Sequence, residues 1–274
     1  MDMPNLTDRV ALARNRNRVV PGALFLHQAA ADEVQERLIE VNRTFNSVAI
    51  VTGHRDFWAA QYPDATLICD DDTLDLESGH FDLVLHMMCL HWANDPVGQL
   101  VQCRHALKPD GLLLCTSFGG QTLHELRASL AEAEAIVSGG LSPRVAPMGE
   151  IRDLGGLLQR ASFALPVADG TPLTVSYANM FQLMKDLRNM GEANALTQRL
   201  KHPTRRNVMT EAASIYAANF SNDSDRVDAT FEIISLTGWA PAENQQKPLR
   251  PGTAKNRLAD ALGTIEAPLK RSND

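Results

Sequence analysis

Residues 81–118 read FDLVLHMMCLHWANDPVGQLVQCRHALKPDGLLLCTSF, and no other stretch narrows the possible folds so far. Phe81-Asp82-Leu83-Val84-Leu85 is a short apolar run of the kind needed by a strand covered on both faces, and Leu112-Leu113-Leu114-Cys115 is a second one. Between them Val97, Leu100, Val101, Ala106 and Leu107 recur at helical spacing. Asp95-Pro96 supplies a cap and a first-turn proline, and Lys108-Pro109-Asp110-Gly111 reads as the turn that ends the helix. Strand, helix and strand in this order predict a β-α-β unit, and therefore a parallel sheet with helices on its faces. In such sheets ligands bind beyond the carboxyl ends of the strands, which places residues 87–94 at the edge of a candidate site.

The FDLV strand, the Leu90-His91-Trp92-Ala93-Asn94-Asp95 loop, and Leu107-Lys108-Pro109-Asp110-Gly111 before an apolar strand resemble a class I S-adenosylmethionine methyltransferase. Gly119-Gly120-Gln121-Thr122-Leu123-His124-Glu125-Leu126-Arg127, Gly140-Leu141-Ser142-Pro143-Arg144 and Met190-Gly191-Glu192-Ala193-Asn194 narrow the resemblance to one branch. They are similar to the biotin-synthesis methyltransferases and, more closely, to the mitochondrial complex I assembly factor 5 family. The resemblance spans about residues 9–262 and is strongest over 81–160. It implies an α/β fold, a Rossmann-like methyltransferase sheet with a helical insertion and C-terminal strands. It also implies S-adenosylmethionine as the cofactor, if there is one, and a respiratory complex I subunit as protein partner. That family is associated with hydroxylating an arginine on such a subunit.

The part of the family pattern that carries the cofactor is the part from which this chain departs. Val48-Ala49-Ile50-Val51-Thr52-Gly53 reads as the first strand of the nucleotide-binding half, where the family places an acid-x-Gly-x-Gly-x-Gly turn. Only Gly53 remains, followed by His54, Arg55 and Asp56, and Val51 or Thr52 stands where the acid would be. Glycines at such a turn let the backbone approach a ligand, whereas His-Arg-Asp fills the space with side chains. About 14 residues separate Asp56 from Asp70, room for one short helix (56–62) and one strand (65–69). The sheet is therefore expected to be truncated in its N-terminal half. Asp70-Asp71-Asp72 aligns with the family's Asp-x-Glu segment, whose first acid sits near the adenine amino group; the alternative is a solvated acidic cluster at a strand end. The resemblance thus makes Gly53, Asp70 and Trp92 the candidate cofactor contacts, His91 the candidate general base, and Arg144 a candidate for an anionic substrate group or else a solvated loop arginine.

Periodicity predicts helices over 25–41, 121–137, 151–160, 180–190 and 207–220, and strands over 171–177 and 226–239. Three regions follow: a basic arm or edge helix over 1–22, too polar for a core and read either as a solvated tail or as a docking segment for an acidic partner surface, a methyltransferase-like domain over 23–240 with a helical rim or lid at 121–165, and a largely mobile tail over 241–274. A formal charge of -7 argues against nucleic acid as a partner. Cys69, Cys89, Cys103 and Cys115 lie in apolar contexts without a C-x-x-C pair, which predicts buried reduced thiols and a cytoplasmic protein. No apolar run approaches the ~20 residues of a membrane span. Hydrolase motifs are absent, and His86 and His91 lack a third ligand, so no metal is expected. Two functions remain: a pseudoenzyme with lost or weakened S-adenosylmethionine binding that acts through a protein partner, or an active methyltransferase or arginine hydroxylase on a protein or small acidic substrate.

Overall fold

The computed structural model describes residues 5–20, 22–243 and 245; the expected tail falls almost wholly outside them. Six strands form one sheet in the order β2-β1-β3-β4-β6-β5. They are β1 (Val48–Thr52), β2 (Thr66–Ile68), β3 (Phe81–Met87), β4 (Leu107–Phe118), β5 (Ala164–Tyr177) and β6 (Val227–Trp239). The first four in spatial order run parallel, and β6 is antiparallel to both β4 and β5.

Alternation along β3 explains how the sheet is covered. Leu83, Leu85 and Met87 pack against Ala31 and Val34 of α2 (Phe25–Val41) and Trp58 of α3 (Arg55–Gln61). Val84, pointing the other way, joins Leu100 and Cys103 of α4 (Pro96–Ala106) and Leu158 of α6 (Ile151–Arg160). Successive side chains of a strand face opposite layers, so a continuous apolar run is what a doubly covered strand requires. The start of α4 is fixed as the sequence predicts: Pro96 occupies the first turn, and Gly98 N donates to the Asp95 side chain at 2.8 Å. Its end differs. The helix passes straight into β4, where Phe81 pairs with Leu107 but Leu83 with Leu112, so that 108–111 bulges out of the ladder. Pro109 has no N–H to give a ladder, and Asp110 adopts φ 60°, which aspartate tolerates better than most residues.

Between Gly53 and Asp70 lie only two-turn α3 and three-residue β2, and residues 69–80 add no helix or strand. The N-terminal half of the sheet is short, as the spacing dictates. The segment expected to form a rim divides across the molecule instead. α5 (His124–Ser138) joins α7 (Met180–Asn189) and α8 (Arg206–Phe220) in one cluster, while α6 lays Leu154, Leu157 and Leu158 on the opposite side of the sheet. Leu126 and Leu130 of α5 and Arg144, Val145 and Ala146 of the loop after it lie beside His91 and Trp92 at the strand ends.

The basic start is not merely solvated. α1 (Arg9–Arg16), capped by Asp8, buries Ala11 and Leu12 against Trp92, Ala146, Ala195 and Leu196. Cys89, Cys103 and Cys115 are buried and unbridged as expected, but Cys69 is exposed because the strand before it is short and lies at the sheet edge. Among the described residues no helix is long and apolar enough to cross a membrane. Leu85, fully buried in the central strand, measures how far the fold leans on this layer. Leu85→Ala is expected to lower stability by about 2–5 kcal/mol with an unchanged denaturant slope, read from urea unfolding.

Candidate functional site

The carboxyl ends of β1, β2, β3 and β4 meet at one edge, and there the predicted residues fall into two groups. The first is built on Asp70, which follows β2 and is 3% exposed. Arg16 Nη1 donates to both carboxylate oxygens, at 2.7 and 2.9 Å. Arg9 Nη2 donates to the Asp70 carbonyl at 2.7 Å and reaches its carboxylate at 3.3 Å. Gln99 Nε2 closes the set on the Asp70 carbonyl at 3.2 Å. Burial alone would raise the Asp70 carboxyl, but the Arg16 and Arg9 guanidiniums outweigh it and hold it below the usual carboxylate range. Asp70 is therefore neither solvated nor free; Asp71 and Asp72 are exposed, Asp71 reaching Arg9 Nη2 at 3.2 Å. Gly53, after β1, belongs to the same group: a Cβ there would lie 2.1 Å from Arg16 Cζ. The glycine is retained for a guanidinium of the chain itself.

The second group is built on Glu192, buried just beyond α7. Trp92 Nε1 donates to its Oε2 at 2.7 Å, and His91 Nε2 lies 3.2 Å from the same oxygen. His91 Nδ1 lies 3.2 Å from Ser117 Oγ. Burial pushes the Glu192 carboxyl up, yet the His54 and His91 imidazoles and the Arg16 charge hold it well below its ordinary value. Ser117 Oγ itself donates to the Phe118 carbonyl at 3.2 Å, so both ring nitrogens of His91 lie within hydrogen-bond reach of groups of the chain, Ser117 at one side and Glu192 at the other. Trp92 finds the polar partner its indole requires in Glu192.

Glu192 also faces two histidines. Its Oε1 lies 3.9 Å from His54 Nε2, and the His27 ring meets His54 edge-on with centroids 4.5 Å apart. Burial drives His27 down to about 3, so its imidazole is neutral. His86 is elsewhere, hydrogen-bonded to Gln99 at 2.9 Å.

Two hollows adjoin the cluster. An open cleft of about 960 Å³ is lined by Arg16, Gln28, Gly53, His54 and Phe57. A smaller cavity of about 210 Å³ is walled by His91, Trp92, Phe118, Met184 and Glu192. Arg144 lines this cavity too, but its Nη1 donates to Thr204 Oγ1 at 2.6 Å and its Nη2 pairs with Glu134, so its charge is already matched. Arg16, His27, His54 and Glu192 are the residues whose place at the site the sequence did not disclose. Glu192 carried a signal, since it sits in the Met-Gly-Glu-Ala-Asn signature, and His54 carried another as the side chain standing where a glycine was expected.

Removing one partner of the Arg16–Asp70 pair leaves a buried charge without its counter-ion, so Asp70→Asn is expected to cost about 3–5 kcal/mol at neutral pH. The folded carboxyl titrates below its unfolded value of about 3.9. Its contribution is therefore fully present above about pH 4 and is lost as pH falls through the folded value. Urea unfolding across pH should show a gap between wild type and variant that is flat near neutrality and narrows in acid. An equal gap at every pH would mean the charge does not stabilise the pair.

Residues 21–115 match the methyltransferase domain family. The chain is 41% identical over 206 residues to the arginine-hydroxylase NDUFAF5, mitochondrial, of Dictyostelium discoideum, covering 75% of this chain and 47% of that protein. To the protein of the same name from Danio rerio it is 36% identical over 239 residues, covering 87% and 72%. It is 32% identical over 212 residues to the malonyl-[acyl-carrier protein] O-methyltransferase of Xylella fastidiosa (strain M23), covering 77% and 68%. The chain thus spans about half the length of the first of these relatives and nearly three quarters of the second. A methyltransferase domain with the strand-end site described above, matched at this identity over most of the Danio rerio protein, means that the chain belongs to the NDUFAF5 arginine-hydroxylase family.

Proposed function

We propose that the chain is a methyltransferase-fold protein of the complex I assembly type that acts on an arginine side chain of a protein partner, a respiratory complex I subunit, and that its binding of S-adenosylmethionine is weak or lost. The observation that carries this reading is the seating of Arg16. S-adenosylmethionine is the cofactor that a methyltransferase domain implies, and this chain offers it Gly53 and Asp70. Arg16 engages both, filling the face of the one and neutralising the carboxylate of the other. As arranged, these residues do not fit the cofactor. Each lost charge-assisted hydrogen bond removes roughly 1.5–3 kcal/mol, and ~1.4 kcal/mol is tenfold in affinity.

The choice of arginine as the side chain acted on rests on the name of the NDUFAF5 relatives. The cavity suits it: apolar walls from Phe118, Leu126 and Met184 can take a long aliphatic stem, with the Glu192 carboxylate at one end. The reading puts the partner's docking surface on the outer face of α1 and the turn after it, where Val10 is 80% exposed and Arg14 and Arg18 are exposed. A second reading, methyl transfer, is favoured by the identity to the Xylella fastidiosa methyltransferase.

Mass spectrometry of a complex I subunit co-expressed with the full chain separates the two. An arginine heavier by one oxygen atom supports hydroxylation, a residue heavier by one methylene supports methyl transfer, and an unaltered subunit counts against both. Isothermal titration with S-adenosylmethionine tests the cofactor seat. The wild-type chain is expected to bind in the millimolar range or weaker, and Arg16→Ala at least tenfold more tightly; a low-micromolar dissociation constant for wild type would overturn the reading of Arg16.

A further inference from the structure

We propose that His27, His54 and Glu192 form a binding site for one divalent first-row transition metal ion. The three come from separate parts of the chain: the first turn of α2, the residue that caps α3, and the loop after α7. All three are buried, and their ligand atoms lie within 4.8 Å of one another. Among the described residues His27 Nδ1, His27 Nε2, His54 Nε2 and Glu192 Oε1 have no hydrogen-bond partner. Buried polar atoms are ordinarily paired, and leaving one unpaired costs about 1–3 kcal/mol. Here the unpaired atoms of three residues face a common point, which accounts for them together if a cation sits between them.

The donor chemistry is that of a metal site. Two imidazoles and one carboxylate make the set found in mononuclear Fe(II) and Zn(II) centres that keep coordination positions open. The carboxylate is also oriented as a ligand should be. Trp92 and His91 hold Oε2, turning the bare Oε1 toward His54. Metal bonds of about 2.0–2.2 Å require donors about 3 Å apart, so the His54–Glu192 pair, at 3.9 Å, must close by about 0.9 Å and the widest pair, within 4.8 Å, by at most about 1.8 Å when an ion binds.

Two charged or titratable groups also face the site. Arg16 opposes a cation here, since its field reaches Glu192 and His27, and its pairing with Asp70 at 2.7 Å offsets that only in part. His91 is tied to Glu192 and Ser117. The position is functional: His54 lines the open cleft and Glu192 the inner cavity, so an ion between them would be reached from both. Fe(II) is the ion that the hydroxylase reading calls for; that choice rests on the reading, whereas the site does not.

The test is metal binding by the purified full chain, stripped with a chelator and titrated without oxygen with Co(II), Fe(II), Zn(II) and Mn(II). The expected result is one equivalent of Co(II) per chain, with a visible spectrum of nitrogen and oxygen ligation and no sulfur-to-cobalt band. His27→Asn, His54→Asn and Glu192→Gln should each weaken binding by more than about a hundredfold, and Trp92→Phe by about tenfold, as for a lost partner of a ligand. His124→Ala, at an exposed histidine away from the cluster, should change nothing. Circular dichroism checks the folding of each variant. Should the ligand variants not fold, the wild-type spectrum together with X-ray absorption of the Fe(II) form decides, through the presence or absence of two imidazole shells. Binding below a tenth of an equivalent for every ion, a sulfur band, or folded ligand variants that bind like wild type would overturn the proposal. Because the readout is binding, it stands or falls apart from whether an arginine is hydroxylated.

Discussion

The seating of Arg16 between Asp70 and Gly53 is the contact on which the rest of the site depends. A buried ion pair contributes little net stability against an apolar alternative, because taking both charges out of water costs nearly what their attraction returns. Its value lies in what it fixes. Arg16 ends α1, and once its guanidinium is locked to the end of β2, the helix can dock only one way, with Leu12 and Ala11 against Trp92. The same end of α1 passes close to Gly191, where a Cβ would meet Arg16 Cα at 3.1 Å and Val19 Cγ2 at 3.0 Å. Gly191 also sits at φ 81°, so both the space and the conformation require glycine. Glu192 follows directly, and its approach to Trp92 and His91 is thereby set.

Charge at this edge is balanced locally. Arg9 and Arg16 face Asp70 and Asp71, four groups whose charges cancel. Glu192 has no such cationic partner in contact. It is buried at 4% side-chain exposure among imidazoles and an indole, and it is held well below its ordinary value by His54 beside Oε1 at 3.9 Å, by His91 at Oε2, and by the positive field of Arg16. A carboxylate supported in that asymmetric way has one oxygen engaged and one available. That is the electrostatic difference between a structural acid, whose lone pairs are all used, and an acid kept for a ligand.

Most of the scaffold was legible because it is written in local periodicity. The apolar run of 81–85, the helical stripe of 25–41 and the alternation of 171–177 each specify an element without reference to the rest of the chain. The β4 bulge was not, since Lys-Pro-Asp-Gly has the composition of a turn, and only pairing across to β3 draws it into a strand. The site was legible in its strand-end part, where His91 and Trp92 follow β3, and illegible where it depends on pairings distant in sequence. Arg16 meets Asp70 across 54 positions and Trp92 meets Glu192 across 100. No periodicity reports such pairs. Composition actively misled at the N-terminus, where a run of arginines suggested solvent and two of them turned inward.

His54 shows how a broken motif can be misread as a plain loss. Judged against a glycine-rich turn, the His-Arg-Asp run after Gly53 is a defect, because its side chains occupy the space a bound nucleotide would use. Judged against its surroundings, His54 is an addition: its Nε2 points at a buried carboxylate and its ring abuts His27. Strand ends in a parallel sheet expose backbone and side chains to a common crevice whatever their identity. What has changed is the kind of group presented there. His27, His54 and Glu192 bring buried polar atoms within 4.8 Å of one another at this edge, and because the apolar layers lie elsewhere, a fold of this kind can present different groups at its strand ends without altering its core.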